Sequence, residues 1–122
     1  MSDQVIKDSG IQRVVKWVKS KGYSNIKANV EGYELPTTFT PSNLDVEPFV
    51  PDVTATRGEQ KHYFEIALKT EDSDRQIRKW KLLSTLAEMK KGKLHLFAPR
   101  GHKAFAERIV RERQLAADVV SI

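Results

Sequence analysis

The 122-residue chain contains no cysteine. Disulfides, thiolate zinc sites and a cysteine nucleophile are therefore excluded together. No apolar run approaches the roughly 18 residues that a membrane-spanning helix needs. The first residues, Met1-Ser2-Asp3-Gln4, carry no signal-peptide pattern, and a cytoplasmic location is the resulting expectation. Histidine is scarce, and His62, His95 and His102 show no metal-ligand spacing. His62 and His95 are expected in strands and His102 at a helix start. Glycine-rich phosphate loops, dinucleotide fingerprints, nucleophile elbows and triad-like signatures are all missing, and there is neither a repeat nor a low-complexity tract.

Hydrophobic residues make up 39% of the chain and charged residues 30%. That is polar for a globular domain, yet too apolar and too aromatic for disorder. The length suits one domain, residues 1–122. The formal charge of +5 is unevenly spread. Residues 1–58 are neutral, and the whole excess lies in residues 59–122. Between Arg75 and Lys93, seven basic residues face only Glu88. A second basic block runs from Lys7 to Lys27, and the stretch from Glu31 to Asp52 holds five acids and no base. Basic flanks around an acidic middle suit a polyanion held over a cation site. Two solvated helix faces and an acidic loop would account for the same pattern.

Ile11, Val14, Val15 and Val18 recur at helical spacing, with Gly22 in a C′ position. Ser9-x-x-Gln12 can form a capping box, or Val5 and Ile6 can extend the helix upstream. Ile26, Ala28 and Val30 alternate as in a half-buried strand. Residues 34–48, with Pro36, Pro41 and Pro48, predict a long loop. Val50–Arg57 and Gln60–Lys69 are strand-like runs around Gly58-Glu59, which suits a type II′ turn. Ser73–Lys91 is the longest helical segment. Ser73-x-x-Gln76 is a second candidate capping box, and Gly92 lies just past the helix end. Trp80 falls in phase with Ile77 and Leu83, as core packing requires. Lys93–Ala98 predicts a short strand, Phe105–Val110 a helix and Asp118–Ile122 an edge strand. Arg100-Gly101-His102-Lys103 opens that helix, as an ordinary turn or as a phosphate cradle. The expected fold class is α/β (α+β by some schemes), with one mixed sheet flanked by helices.

With Gly58-Glu59 as the turn, paired residues sum to 117, so Asp52 faces Glu65. Directly opposed residues have Cβ atoms about 4.5–5.5 Å apart, and like charges there repel. A hard divalent cation turns that repulsion into ligation. Alternation places Glu65, Ala67 and Lys69 on one strand face and Phe64, Ile66 and Leu68 on the other. The expectation is one apolar sheet face, and one face carrying Asp52, Thr54, Thr56, Glu65 and a lysine. The competing possibility is a solvated pair of acids.

Pro51-Asp52, twelve intervening residues and Glu65-Ile66-Ala67, set in a helix–strand–strand–strand–helix–strand order, resemble the PD-(D/E)XK nuclease superfamily. The resemblance implies a restriction-endonuclease-like core and a Mg²⁺-dependent (or Mn²⁺-dependent) DNA endonuclease or resolvase-like phosphodiesterase. Asp52 and Glu65 match the metal-binding acids, helped by a main-chain carbonyl near Ile66. The superfamily lysine position is Ala67, and the helix-1 acid position is most nearly Gln12; both are departures. Lys69 has the correct parity but lies about 6.6 Å further along the strand. Lys79 or Lys81 could serve instead. Gln76 matches a second-helix glutamine. Arg75, Gln76, Arg78, Lys79 and Lys81 are the implied DNA contacts. The implied partner is DNA, a membrane is not, and a homodimer is compatible. The alternative is a degenerate member of the same fold that binds nucleic acid or a protein without cutting; a third possibility is an unrelated assembly module.

Overall fold

The computed structural model describes residues 3–40, 47–70 and 73–122. The order is α1 (Asp3–Ser20), β1 (Ser24–Ala28), β2 (Val53–Arg57), β3 (Gln60–Ile66), α2 (Ser73–Met89), β4 (Leu94–Ala98), α3 (Lys103–Arg113) and β5 (Ala117–Ser121). The strands form one five-stranded sheet in the order β1-β2-β3-β4-β5. β1, β2 and β3 pair antiparallel, whereas β3, β4 and β5 pair parallel. Helical crossovers α2 and α3 make the parallel connections, as parallel pairing requires. The chain is thus an α/β protein with a mixed sheet flanked by helices. Among the described residues no helix is long and apolar enough to cross a membrane.

Helix α1 covers one sheet face. Its stripe Ile11, Val14, Val15 and Val18 packs on Val53, Ala55, Phe64, Ile66 and Phe97. Helices α2 and α3 cover the other, burying Ile77, Trp80, Leu83, Ala106 and Ile109 against Tyr63, Ala67, Leu94 and Leu96. The expectation of one apolar face and one polar face is corrected here: both faces are apolar and covered. The parity of Phe64, Ile66 and Leu68 is as expected, and so is the core role of Trp80.

The hairpin register is the one counted from the turn. Val53 pairs with Phe64 and Arg57 with Gln60. Gly58 adopts φ +60° while Glu59 keeps an ordinary φ, as a type II′ turn needs. The strands are shorter than expected. β2 begins at Val53, not Val50, and β3 ends at Ile66, not Lys69. Helix α1 starts at Asp3, so Ser9-x-x-Gln12 lies inside the helix and caps nothing. Gly92 lies past α2 as expected, but the left-handed residue is Lys91, at φ +59°. Glycine is required at 92 because a Cβ there would collide with the Lys61 carbonyl. Within the long loop, Phe39 and Phe49 form an isolated antiparallel bridge. Residues 41–46 of that loop, like Met1 and Ser2, lie outside the described residues.

Candidate active site

Asp52 lies one residue before β2, where the chain bends away from the ladder. Side chains continue the pairing. The Asp52 N–H donates to Glu65 Oε2 at 2.7 Å, and the Ile66 N–H donates to Asp52 Oδ2 at 2.9 Å. Each carboxylate thereby satisfies a backbone donor of the other strand. Charge-assisted bonds of this kind are the stronger ones. The Asp52 carbonyl also anchors the end of β1, accepting from the Asn29 N–H at 2.8 Å. Both acids are interior, with Asp52 1% and Glu65 2% exposed. The picture of a solvated pair is therefore overturned.

Two ammonium groups meet the pair. Lys79, on α2, places Nζ 2.9 Å from Glu65 Oε1 and 3.7 Å from Asp52 Oδ1. Lys7, on α1, places Nζ 3.1 Å from Asp52 Oδ1. Asp52 Oδ1 is buried and accepts no hydrogen bond, and the two ammonium groups are what faces its charge among the described residues. Burial, and then the Asp52 charge, push the Glu65 carboxyl up to about 7, and both lysines only partly offset this. Burial works against the Lys79 ammonium, but Glu65 and Asp52 outweigh it and raise its pKa. A carboxyl of raised pKa beside a held ammonium is the kind of perturbed cluster found at functional sites.

The cluster borders a cleft of about 410 Å³, whose lining includes Lys7, Glu65, Thr70, Arg75, Gln76 and Lys79. Phe49, Pro48 and Val50 form its rim. Arg75 holds that rim. Its guanidinium donates to the Glu47 and Pro48 carbonyls at 3.2 and 3.0 Å and lies 4.5 Å from the Phe49 ring centroid. Gln76 donates to the Leu68 carbonyl at 3.0 Å and accepts from the Thr70 hydroxyl at 3.4 Å. Its amide is thus committed to the segment after β3 rather than to a capping box.

Asp52, Glu65, Arg75, Gln76 and Lys79 are therefore brought together. Arg78 and Lys81 project outward on α2. Lys69 is not brought in: it lies beyond β3 and is exposed, and its backbone N–H donates to His102 Nδ1 at 2.9 Å. The strand ends at Ile66, three residues too early to carry Lys69 along the acid face. Gln12 is exposed and lines a different surface hollow, with Asp8, Asn29, Tyr33 and Leu35. Lys7 was not anticipated. Its signal is phase: Lys7 lies four residues before Ile11 and seven before Val14, so it extends the buried stripe of α1. The Arg100–Lys103 turn is internally bonded, with the His102 N–H on Pro99 O. His62 and His95 lie on β3 and β4 as expected, 3.1 Å apart between Nδ1 and Nε2.

Among the described residues, no three or more His, Asp or Glu are grouped to hold a metal ion. The donors that fit a hard cation are Asp52 Oδ1 and Glu65 Oε1, both carboxylate oxygens and both already facing a cation. Magnesium commonly binds through one or two carboxylates plus water and phosphate oxygens, so this donor set suffices in kind. Comparison with known protein families, curated proteins and solved structures gives no match.

Proposed function

We propose that the chain is a divalent-metal-dependent DNA phosphodiesterase of the PD-(D/E)XK type, with Asp52 and Glu65 as metal ligands. The order α1-β1-β2-β3-α2-β4 is compatible with a restriction-endonuclease-like core. The observation that carries the reading is the buried Asp52–Glu65 pair meeting Lys79 at a basic cleft. Two like charges side by side in a protein interior are costly unless cations face them, and Lys7 and Lys79 do so here at the oxygens that a metal ion would share.

When bound, Mg²⁺ or Mn²⁺ supplies Lewis acidity to the phosphate and acidifies water. The chain's own residues do the rest. Asp52 and Glu65 hold their oxygens in place through reciprocal backbone bonds, so little reorganisation is needed. Lys79 takes the part first assigned to Lys69: its ammonium stands beside both acids, where charge develops on a phosphate. Arg75 fixes the rim segment that leads directly into Asp52. Gln76 ties the chain after β3 to α2 and so fixes the far wall of the cleft.

Plasmid cleavage with Mg²⁺ and with Mn²⁺ tests this. Wild type is expected to nick or linearise DNA. Asp52→Asn and Glu65→Gln, folded by circular dichroism, are expected to lose at least a hundredfold. Equal rates for all three would end the proposal. Ala67 at the superfamily lysine position, and a lysine rather than an acid reaching the site from α1, favour a second reading in which DNA is bound and left intact. A wild type that binds duplex DNA but never cuts it would decide for that reading.

A further inference from the structure

The α1 contribution to the site is a cation where an acid would strengthen metal binding. Counted at full ionisation, Asp52 and Glu65 carry two negative charges, and Lys7 and Lys79 carry two positive ones. The cluster is neutral before any ligand arrives. Lys7 is the more accessible of the two lysines, with a third of its side chain exposed against 13% for Lys79. Its Nζ stands 3.1 Å from Asp52 Oδ1, the buried oxygen that accepts no hydrogen bond. That oxygen is held by ammonium groups alone, whereas Oδ2 is committed to the Ile66 N–H, so it is the one that a metal ion would compete for. Gly10 sets the approach: a Cβ there would already meet the Ile66 side chain at 3.1 Å. Helix α1 is thereby packed closely enough for Lys7, one turn earlier, to reach the acids from the opposite sheet face.

We infer that Lys7 is a charge-balancing residue that couples metal loading to phosphate binding. This rests on the nuclease reading and specifies how that site is regulated. A divalent ion entering the neutral cluster leaves two excess positive charges in a cleft that already holds Arg75. A phosphodiester entering with it, at one negative charge, offsets half of that excess. Each ligand therefore strengthens the other, and the coupling is reciprocal. Without substrate the carboxylates stay paired with lysines and the metal stays out. Removing Lys7 leaves a net negative cluster that attracts the metal unaided.

The test is calorimetric titration of Mn²⁺ into the full chain, for wild type, Lys7→Met, Lys7→Gln and Lys7→Arg. Each is run with and without a short duplex of hydrolysis-resistant phosphorothioate linkages, and plasmid cleavage by wild type is measured in parallel. Wild type and Lys7→Arg should bind Mn²⁺ at least tenfold more tightly with DNA than without. Lys7→Met and Lys7→Gln should bind Mn²⁺ without DNA at least tenfold more tightly than wild type, and gain less from DNA. If either neutral variant folds and binds no tighter than a wild type that cleaves, the coupling is wrong and the nuclease reading survives. If wild type neither cleaves nor binds Mn²⁺ beside DNA, the nuclease reading itself falls.

Discussion

At the scale of single residues, the Glu65–Lys79 contact sets two charges in the interior of the fold, with Glu65 2% exposed. A buried ion pair repays its desolvation only when its geometry is good and its remaining polar atoms are satisfied. Glu65 meets this through the Asp52 N–H and the 2.9 Å contact to Lys79. Breaking one side leaves an uncompensated charge. Lys79→Met is expected to destabilise by about 3 kcal/mol, the size typical of a broken buried pair. Glu65→Gln is expected to cost about 1–2 kcal/mol, as for a weakened hydrogen bond to a charged group. The double variant should cost clearly less than the sum, since both charges leave together. Urea unfolding of the four proteins measures the coupling, and strict additivity would mean the two side chains do not interact in solution. Glu65 was legible in the sequence because it interrupts the apolar run Tyr63–Leu68, and Asp52 because the turn fixed its partner. Lys79 was one of two lysines on α2, and only the crossing of α2 over β3 singles it out.

At the scale of elements, the sheet was legible where a local signal defined it. Gly58-Glu59 fixes the β2–β3 register without any long-range information. The ends of β2 and β3 were not legible, because they depend on where Asp52 bends away and where the chain turns to α2. The join between β3 and β4 has its own chemistry. His62 and His95 face each other at 3.1 Å, and Phe64 stacks on His95 with centroids 4.9 Å apart. Burial, then the neighbouring His62, lower the His95 pKa to about 4 from 6.5, and burial lowers that of His62 as well. A base whose folded pKa is depressed binds protons better when unfolded. Its stabilising contribution is thus complete above pH 6.5 and is lost as pH falls toward 4. Glu65 has the opposite sign. Raised from 4.5 to about 7, it favours the folded state below pH 4.5 and loses that contribution as pH rises through 7. The two oppose each other over an overlapping window, so wild-type stability should vary little between pH 4.5 and 6.5. In His95→Gln, stability should fall as pH rises across that window; in Glu65→Gln, it should climb. Thermal unfolding at stepped pH checks both, and parallel curves for the two variants would contradict the assignment. The same join explains Gly92. Gly92→Ala forces the α2–β4 turn off the Lys61 carbonyl and should cost about 2–3 kcal/mol, the range for backbone displacement by overpacking. An unchanged denaturation midpoint would refute the close approach.

At the scale of the whole molecule, the two basic blocks of the sequence are separated by the sheet. Helix α1 lies on one face and α2 on the other, so a single duplex cannot lie flat along both. The cleft resolves the geometry by opening where Lys7 of α1 meets Arg75, Gln76 and Lys79 of α2. Arg75 and Lys79 turn inward, which removes them from the solvated charge counted in the sequence. Arg78 and Lys81 are exposed on α2, turned away from the residues that line the cleft, while Arg13 and Lys16 are exposed on α1. If DNA approaches the cleft from the α2 side, its flanking phosphates come within reach of the α2 pair. Each basic side chain that touches a phosphate contributes about one unit to the log–log dependence of affinity on salt. Arg78→Ala with Lys81→Ala should therefore weaken duplex binding across sequences and flatten the slope by about two units. Arg13→Ala with Lys16→Ala removes the same charge from the opposite face and should leave the slope nearly intact. Both double variants should keep their stability within about 1 kcal/mol, as exposed charges do. Fluorescence anisotropy over a series of salt concentrations, without divalent metal, reads all of this without requiring cleavage. Equal flattening by the two pairs would show that the protein is held by its net charge alone, with no preferred face. A flattening confined to the α2 pair would place the duplex on the α2 side of the sheet, the side from which Lys79 reaches the Asp52–Glu65 cluster.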